Sequence, residues 1–357
     1  NIVGLMSGTS MDGIDISLVK TNGINLERLN KNYFYKYSQS TRTELLNILE
    51  HDIGFNLKRK EYLDNFVTNE HYLALKDLEI INTCDLVGFH GQTIYHNPDN
   101  KISIQLGSGK LLSKMSKQNV IYDFRSMDLK NGGQGAPLAP IYHKLLIEKW
   151  RLNLPSCILN IGGVSNITYW DGLNLIGFDT GPGNGLMDQF LQITLKLKFD
   201  EDGAIAKKGK ANFDLINRYI DNDYFIKPPP KSLDKLTFEE IIKDQVFKEL
   251  SVEDSVATLL EFSIKTIIIS FKFFPKKINS IIVVGGGSLN NFFINRLKIE
   301  LDNIGIKLHL KKKESKYIEA EMIAYITARH LNKLPFTFPT TTGVKKALSG
   351  GRQQLYF

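Results

Sequence analysis

Cysteine is nearly absent. Cys84 and Cys157 are the only two in 357 residues, too few for a disulfide framework. Both lie beside apolar, strand-like runs and read as buried thiols. No Cys-x-x-Cys pair and no zinc-ligand spacing occurs, and His90 and His96 do not make a metal pair. No apolar run is long enough to span a bilayer. The first residues, Asn1-Ile2-Val3-Gly4, show no basic segment followed by a secretory core. These absences lead to the expectation of a cytoplasmic location with no membrane partner. No Gly-Lys-Ser/Thr follows a glycine run, which excludes a P-loop. The glycine run at Gly8–Gly13 leads into a strand and not a helix, so it is not a dinucleotide fingerprint. The run Ser7-Gly8-Thr9-Ser10 has neither the order nor the setting of a serine nucleophile elbow. Charge of one sign is only mildly in excess, 45 basic against 38 acidic residues, net +7, and it is dispersed. Such a surface draws anions such as nucleotides or acidic sugars. The clearest cluster, Lys311-Lys312-Lys313, reads as a solvated turn. Without a basic stripe interleaved with stacking aromatics, no nucleic-acid partner is expected.

What is present is length and patterned apolar sequence. With 42% hydrophobic residues, 357 residues can build two or three cores. No Pro/Gly/Ser linker separates independent modules, and no short-period repeat appears. Ile2–Leu5 reads as a strand entering Met6–Gly13, with a second strand alternating through Ile14, Ile16 and Leu18. Residues 41–80 read as helical. Strands are predicted at Leu86–Phe89, Ile102–Leu106, Val120–Tyr122, Cys157–Ile161, Leu175–Phe178 and Ile281–Val284. Helices are predicted over Leu138–Trp150, through Leu186–Leu191, over Thr258–Phe271, after Ser288, and over Ile318–Leu331. Strands alternating with helices indicate layered α/β architecture.

A strand followed by a loop of small and polar residues recurs five times, at Gly8-Thr9, His90-Gly91, Gly162-Gly163, Gly181-Pro182 and Gly285-Gly286. Open α/β sheets bind ligands beyond the carboxyl ends of their strands, so five such loops predict a lined cleft. Glycine serving turn geometry alone is the plainer explanation of any one of them. Asp12, in the first glycine hairpin, suits a magnesium ion beside phosphates or an ordinary turn cap. Asp179 closes a strand before Gly181-Pro182-Gly183. It can act as a base, hold a metal or cap a turn. Arg125 can grip a carboxylate through two parallel hydrogen bonds. His90, Gln92, Gln134, Asn160 and Asn166 are polar groups near turns, equally suited to structural hydrogen bonds or to ligand contacts.

Taken in order, these segments closely resemble the anhydro-N-acetylmuramic acid kinase family over nearly the whole chain. The strongest match is Gly4-Leu5-Met6-Ser7-Gly8-Thr9-Ser10-Met11-Asp12-Gly13 with Asp15. It is followed by His90-Gly91-Gln92-Thr93, Asp123-Phe124-Arg125, Gly132–Pro137, Asn160-Ile161-Gly162-Gly163 with Asn166, and Asp179–Asn184. Pro228–Ser232, Gly285–Ser288, Glu319-Ala320 and Thr342-Gly343 complete the set. The resemblance implies the two-lobed sugar kinase/heat-shock/actin-like ATPase fold, with a mixed sheet in each lobe and an interdomain cleft. The expected lobes are residues 1–125, with 335–357 packing back on them, and residues 126–334.

The resemblance further implies ATP and Mg²⁺ as cofactors and 1,6-anhydro-N-acetylmuramic acid as substrate. Water opens the anhydro bridge and O6 takes the γ-phosphoryl group, giving N-acetylmuramic acid 6-phosphate and ADP in cell-wall recycling. Asp179 matches the family's catalytic base. Nucleotide contacts are expected at Gly8, Thr9, Ser10, Met11, Asp12, Gly13, Gly163, Gly181, Gly285, Gly286 and Gly287. Asp12 is also the expected magnesium residue. Substrate contacts are expected at His90, Gln92, Thr93, Arg125, Gln134, Ala136 and Pro137, with Arg125 on the lactyl carboxylate. Glu319 matches a family glutamate of open role, and a homodimer is suggested by the resemblance alone. After the proline run many relatives carry Lys-Ser-Thr-Gly-Arg, where this chain has Lys231-Ser232-Leu233-Asp234-Lys235. That exchange puts the local loop geometry in question. A kinase for an ordinary sugar hydroxyl and an actin-like nucleotide-dependent scaffold are the alternatives.

Overall fold

The computed structural model describes residues 1–8, 11–50, 57–234, 237–311 and 315–356, with the side chains of 48–50 and 57 left out. Thr9, Ser10, Lys235, Lys312 and Lys313 lie outside the described residues. The chain divides into two compact units, Asn1–Leu145 with Tyr317–Phe357, and Leu146–Lys316. The division falls later than the expected boundary near residue 125, and residues 126–145 and 317–334 go with the first unit.

The first unit is built on strands β1 (Ile2–Ser7), β2 (Gly13–Thr21), β3 (Leu26–Lys36), β4 (Leu86–Asn97), β5 (Ile102–Leu106) and β6 (Val120–Tyr122). Helices α1 (Gln39–Glu50), α2 (Leu57–Asp77), α3 (Gly109–Ser116), α4 (Ser126–Lys130) and α5 (Pro140–Lys149) follow in the connections. The sheet runs β6-β4-β1-β2-β3, with β5 on β4 and the last strand of the chain on β6. The first three strands form an antiparallel meander, and β4 and β6 lie parallel to β1. Val3, Leu5, Val87 and Phe89 face one way, into a core with Leu63, Val67 and Leu75 of α2 and Leu112 of α3. The opposite face carries the late helix α13 (Ile318–Leu331), and the chain ends near β12 (Arg352–Gln354), which pairs with β6. Two glycines in register, Gly4 and Gly88, bring α13 onto that face. A Cβ on Gly4 would stand 1.9 Å from the Ala320 carbonyl oxygen, and one on Gly88 2.2 Å from Thr327 Oγ1. This contact is why residues 317–334 belong to the first unit. Glu321 of α13 is buried and accepts from Arg28 Nη2 of β3 at 2.7 Å and from the Tyr142 hydroxyl at 2.6 Å.

The second unit holds β7 (Ser156–Ile161), β8 (Val164–Trp170), β9 (Leu175–Pro182), β10 (Ser280–Val284) and β11 (Lys307–Leu310) in the order β11-β10-β7-β8-β9. Here too a three-stranded antiparallel meander is extended by two parallel strands. Its helices are α6 (Gly185–Thr194), α7 (Phe213–Ile220), α8 (Asp223–Ile226), α9 (Glu239–Lys243), α10 (Val246–Glu249), α11 (Val252–Ser270) and α12 (Asn291–Asn303). Ser251 caps α11 by accepting from Asp254 N, with Glu253 and Asp254 in its first turn where the helix dipole favours them. Val256, Leu259, Leu260 and Ile267 of that helix enter a core with Leu159, Ile161 and Phe178. Each unit thus carries the central mixed sheet that the resemblance implied, and the α/β class stands.

Two strands run further than their apolar stretches. β4 continues through His90-Gly91-Gln92-Thr93, and β9 through Asp179 to Pro182, so neither polar cluster is a loop beyond a strand end. β3, β8, β11 and β12 carry no clear alternating signal. β3 in particular is half-exposed and rich in Lys, Asn and Arg. Among the described residues no helix is long and apolar enough to cross a membrane.

Candidate functional site

In the first unit, β1 delivers Ser7 into a buried chain of hydroxyl and imidazole groups. His71 of α2 sets Nδ1 against the Val67 carbonyl at 2.7 Å, so Nδ1 carries the proton and Nε2 is an acceptor. The Ser7 hydroxyl lies 3.1 Å from that Nε2 and itself accepts from the Tyr37 hydroxyl at 2.7 Å. Burial holds the His71 imidazole down at about 4 and pushes the Tyr37 phenol up, so all three groups are neutral near pH 7. The hairpin beyond Ser7 is closed by Met11 N donating to the Gly8 carbonyl at 3.3 Å. Gln92 of β4, paired with Ser7 in the sheet register, donates Nε2 to the same carbonyl at 3.0 Å. Its Oε1 is buried without a partner. Asp12 is half-exposed, with Arg42 Nε 3.3 Å from its carboxylate. Gly13 opens β2.

Two residues before Gln92, across a register shift in the pairing with β1, His90 reads the guanidinium of Arg125. His90 Nδ1 lies 2.9 Å from the Gly91 carbonyl, which leaves Nε2 to accept from Arg125 Nε at 3.1 Å. Burial, and then the Arg125 charge, hold the His90 imidazole at about 3. Arg125 Nη1 donates to the Gly135 carbonyl at 2.8 Å. The Gly132–Pro137 loop that supplies this carbonyl is held by Asp128. That carboxylate is fully buried and accepts from Gly135 N at 2.7 Å and from the Thr342 hydroxyl at 2.7 Å. Gln134 N donates to the Thr342 carbonyl at 2.7 Å. Of the expected substrate contacts, His90 and Arg125 are joined directly, and Asp128 and Thr342 tie the Gly132–Pro137 loop that carries Gln134, Ala136 and Pro137 to them, whereas Gln92 bonds to the Gly8 hairpin. Thr93 accepts from Gln105 Nε2 at 3.2 Å. Asp128, Tyr37 and His71 hold this arrangement without having been singled out in the sequence. An aspartate inside a short polar helix and a histidine on an apolar helix face are ordinary features there.

In the second unit Asp179 is buried near the end of β9. Its Oδ2 accepts from Leu233 N at 2.8 Å, and its carbonyl from the Tyr224 hydroxyl at 2.5 Å. Its own amide donates to the Lys231 carbonyl at 3.1 Å. The segment that departs from the common pattern is thus the one that fixes Asp179. It does so through main-chain groups, which do not depend on the side chain at 233, and Leu233 turns that side chain into the core. Lys231 Nζ donates to the Tyr224 carbonyl at 2.8 Å and lies over the rings of Phe273 and Tyr224. Burial, with repulsion from Lys272 and Lys227, lowers its amine to about 8.

The glycine turns gather around this strand end. The Gly162 and Gly163 carbonyls accept from the Asn184, Gly183 and Gly185 amides at 2.8–3.1 Å, docking the β7–β8 turn on the start of α6. Gly181 lies against Thr266 of α11, toward the interior. Gly285, with φ +81°, leaves no room for a Cβ, which would meet Asn160 Oδ1 at 2.2 Å. A Cβ on Gly287 would meet Ile161 at 2.3 Å. A Cβ on Gly286 would have no neighbour within 4 Å. Three polar atoms here are buried without a hydrogen-bond partner: Ser165 Oγ, Asn166 Oδ1 and Asn184 Oδ1. Buried polar groups are ordinarily satisfied, so these three atoms stand out at this end of the sheet.

The chain matches the family described as anhydro-N-acetylmuramic acid kinase over residues 1–354. It is 40% identical over 374 residues to the anhydro-N-acetylmuramic acid kinase of Pelagibacter ubique (strain HTCC1062), covering 98% of this chain and 96% of that one. It is 36% identical over 370 residues to the enzyme of the same name from Zymomonas mobilis subsp. mobilis (strain ATCC 31821 / ZM4 / CP4), covering 98% of each. A match of that length, spanning both units and all the segments just described, means that the chain belongs to the anhydro-N-acetylmuramic acid kinase family.

Proposed function

We propose that this enzyme uses ATP to phosphorylate O6 of 1,6-anhydro-N-acetylmuramic acid while water opens the anhydro bridge, giving N-acetylmuramic acid 6-phosphate and ADP. Family membership supports the kinase activity and the anhydro sugar. The observation that carries the hydrolytic step is the pinned carboxylate of Asp179, oriented by Leu233 N at one oxygen and bonded through both its main-chain groups. A base must be held in place before its proton affinity matters.

The bond changes balance as follows. The water oxygen bonds to the anomeric carbon as the bond from that carbon to O6 breaks. One water proton passes to Asp179 and the other stays on the new anomeric hydroxyl. The electron pair left on O6 forms the bond to the γ-phosphorus as the bond to the ADP oxygen breaks. Asp179 then returns its proton to solvent.

The first-unit hairpin, with Gly8 fixed by Gln92, offers main-chain donors to the phosphates. Open space at Gly286 supports close approach by the nucleotide. Arg125, clamped by His90 and the Gly135 carbonyl, suits the planar, two-pronged recognition of the lactyl carboxylate. The half-exposed Asp12 carboxylate suits a magnesium ion that keeps several waters, and would hold it through them. When bound, the ion would neutralise phosphate charge.

The test is ATP-dependent turnover of 1,6-anhydro-N-acetylmuramic acid in ¹⁸O-labelled water, read by mass spectrometry before the anomeric oxygen exchanges. One ¹⁸O at the anomeric position of a phosphorylated product is expected. A product that retains the anhydro bridge would mean a kinase for an ordinary hydroxyl. Nucleotide binding with no phosphorylated sugar would mean a scaffold.

A further inference from the structure

We propose that Asn166 is a further catalytic residue, holding the attacking water jointly with Asp179. The inference rests on the hydrolytic reading above and adds to it the second acceptor that aims the nucleophile.

The register of the second sheet carries it. Asn166 of β8 is the cross-strand partner of Asp179 on β9 and of Asn160 on β7. Partners directly opposite in an antiparallel pair project from the same face with Cβ atoms about 4.5–5.5 Å apart. Asn160, Asn166 and Asp179 therefore form one polar row across three strands. The register shifts between Ser165 and Asn166, so that Ser165 faces Gly181 while Asn166 faces Asp179, with Thr180 passed over. Bulges of this kind re-aim a side chain beside a functional site. Without the shift Asn166 would stand opposite Thr180, and the row would be broken.

Asn166 Oδ1 is buried with no hydrogen-bond partner. That oxygen and the carboxylate of its cross-strand partner Asp179 are both acceptors on one sheet face, so these oxygens cannot satisfy each other, and only the Nδ2 end of the amide could donate to Asp179. The species that completes such a pair donates two hydrogen bonds. A sugar hydroxyl has one hydrogen, whereas water has two. A water that gives one hydrogen to Asp179 and the other to Asn166 Oδ1 points its lone pairs away from both and toward the sugar. During attack, the proton on the Asp179 side is transferred. The proton on the Asn166 side stays with the oxygen that becomes the anomeric hydroxyl. Asn166 thus accepts a hydrogen bond that strengthens as the water oxygen gains positive character. It accelerates the step without changing protonation itself.

The test uses the whole 357-residue chain with Asn166→Ala, Asn166→Ser and Asn166→Asp, each checked by thermal unfolding and by ADP binding. Asn166→Ala is expected to lower kcat by about 10²-fold, with KM for ATP and for the sugar within about threefold of wild type. Asn166→Asp keeps an acceptor but sets a like charge beside Asp179. It should recover part of kcat and move the acid limb of the kcat/KM profile to higher pH. If Asn166→Ala fails to fold, Asn166→Ser is read in its place. Wild-type product without the ¹⁸O label brings down the hydrolytic reading and this inference together. Labelled wild-type product, with Asn166→Ala turning over within threefold of wild type, overturns the role of Asn166 alone. A raised KM for ATP at unchanged kcat also overturns it, and assigns the side chain to the nucleotide.

Discussion

The neutral imidazole of His90 gives Arg125 its orientation. A protonated ring could not accept from Arg125 Nε, and the cost of burying two adjacent cations keeps the ring neutral. The guanidinium plane is then set by His90 on one edge and the Gly135 carbonyl on another. If this fork reads the lactyl carboxylate, its effect is confined to sugars that carry one. Arg125→Lys is expected to lower kcat/KM for 1,6-anhydro-N-acetylmuramic acid by about 10²-fold, because an ammonium cannot make the paired contact. His90→Ala should cost about tenfold through loss of orientation. Neither should much alter turnover of 1,6-anhydro-N-acetylglucosamine, which lacks the lactyl group. Equal losses on both sugars, measured side by side, would remove Arg125 from carboxylate recognition.

Among the elements, helix α13 and the glycine turn after β10 show two different uses of glycine. Gly4 is needed for packing, since its Cβ would enter the backbone of α13. Gly4→Ala should destabilise the first unit by about 3 kcal/mol or more, because a main-chain carbonyl cannot move aside as a flexible side chain can. A denaturation midpoint equal to wild type would mean that α13 does not depend on close packing at Gly4. Gly286 has no neighbour that a methyl group would strike. Gly286→Ala should leave the midpoint within about 0.5 kcal/mol of wild type yet raise KM for ATP severalfold. Unchanged KM would take Gly286 out of the nucleotide contacts. Gly285→Ala differs from both, because its positive φ and its contact with Asn160 penalise the substitution whether or not nucleotide is present.

Taken whole, the molecule repeats one strand order, β3-β2-β1-β4-β6 in the first unit and β9-β8-β7-β10-β11 in the second. The Gly8–Gly13 hairpin and the Gly162-Gly163 turn occupy corresponding places, each joining the first strand of a meander to the second. The two units differ in how they respond to acid. His71, His90, His96 and His143 all lie in the first unit, and burial holds them at about 4, 3, 4 and 3. Unfolded, they bind protons near 6.5. Their contribution is therefore fully present above about pH 6.5 and is lost as pH falls toward 4. In the second unit Asp188 is raised to about 7 by burial and by Asp200. Its contribution runs the other way, present below about 3.9 and lost as pH rises toward 7. Four groups outweigh one, so the melting temperature should fall between pH 6.5 and 4. Hydrogen exchange should show the first unit opening before the second. Uniform loss of protection across both units, or a melting temperature that rises in acid, would contradict this assignment.

The sequence by itself determined the α/β class, the starts of β1, β2, β4, β5, β6, β7, β9 and β10 to within a residue, and the identity of most polar residues that line the turns. Those follow from local apolar periodicity and from the short segments around Gly8, His90, Gly133, Asp179 and Gly286. It did not reveal that β4 and β9 run on through His90–Thr93 and Asp179, because the ladders of β4 with β5 and of β9 with β8 continue through polar residues that show no alternating pattern. Nor could it pair Asp128 with Thr342, 214 residues apart, or Ser7 with His71 across 64. Only the tertiary structure decided that the Lys231–Leu233 segment fixes Asp179 and that a register shift sets Asn166 beside it. Hydrogen-bond partners and strand register depend on which segments meet in space. A local pattern of residues records what a segment can form, but not what it will lie against.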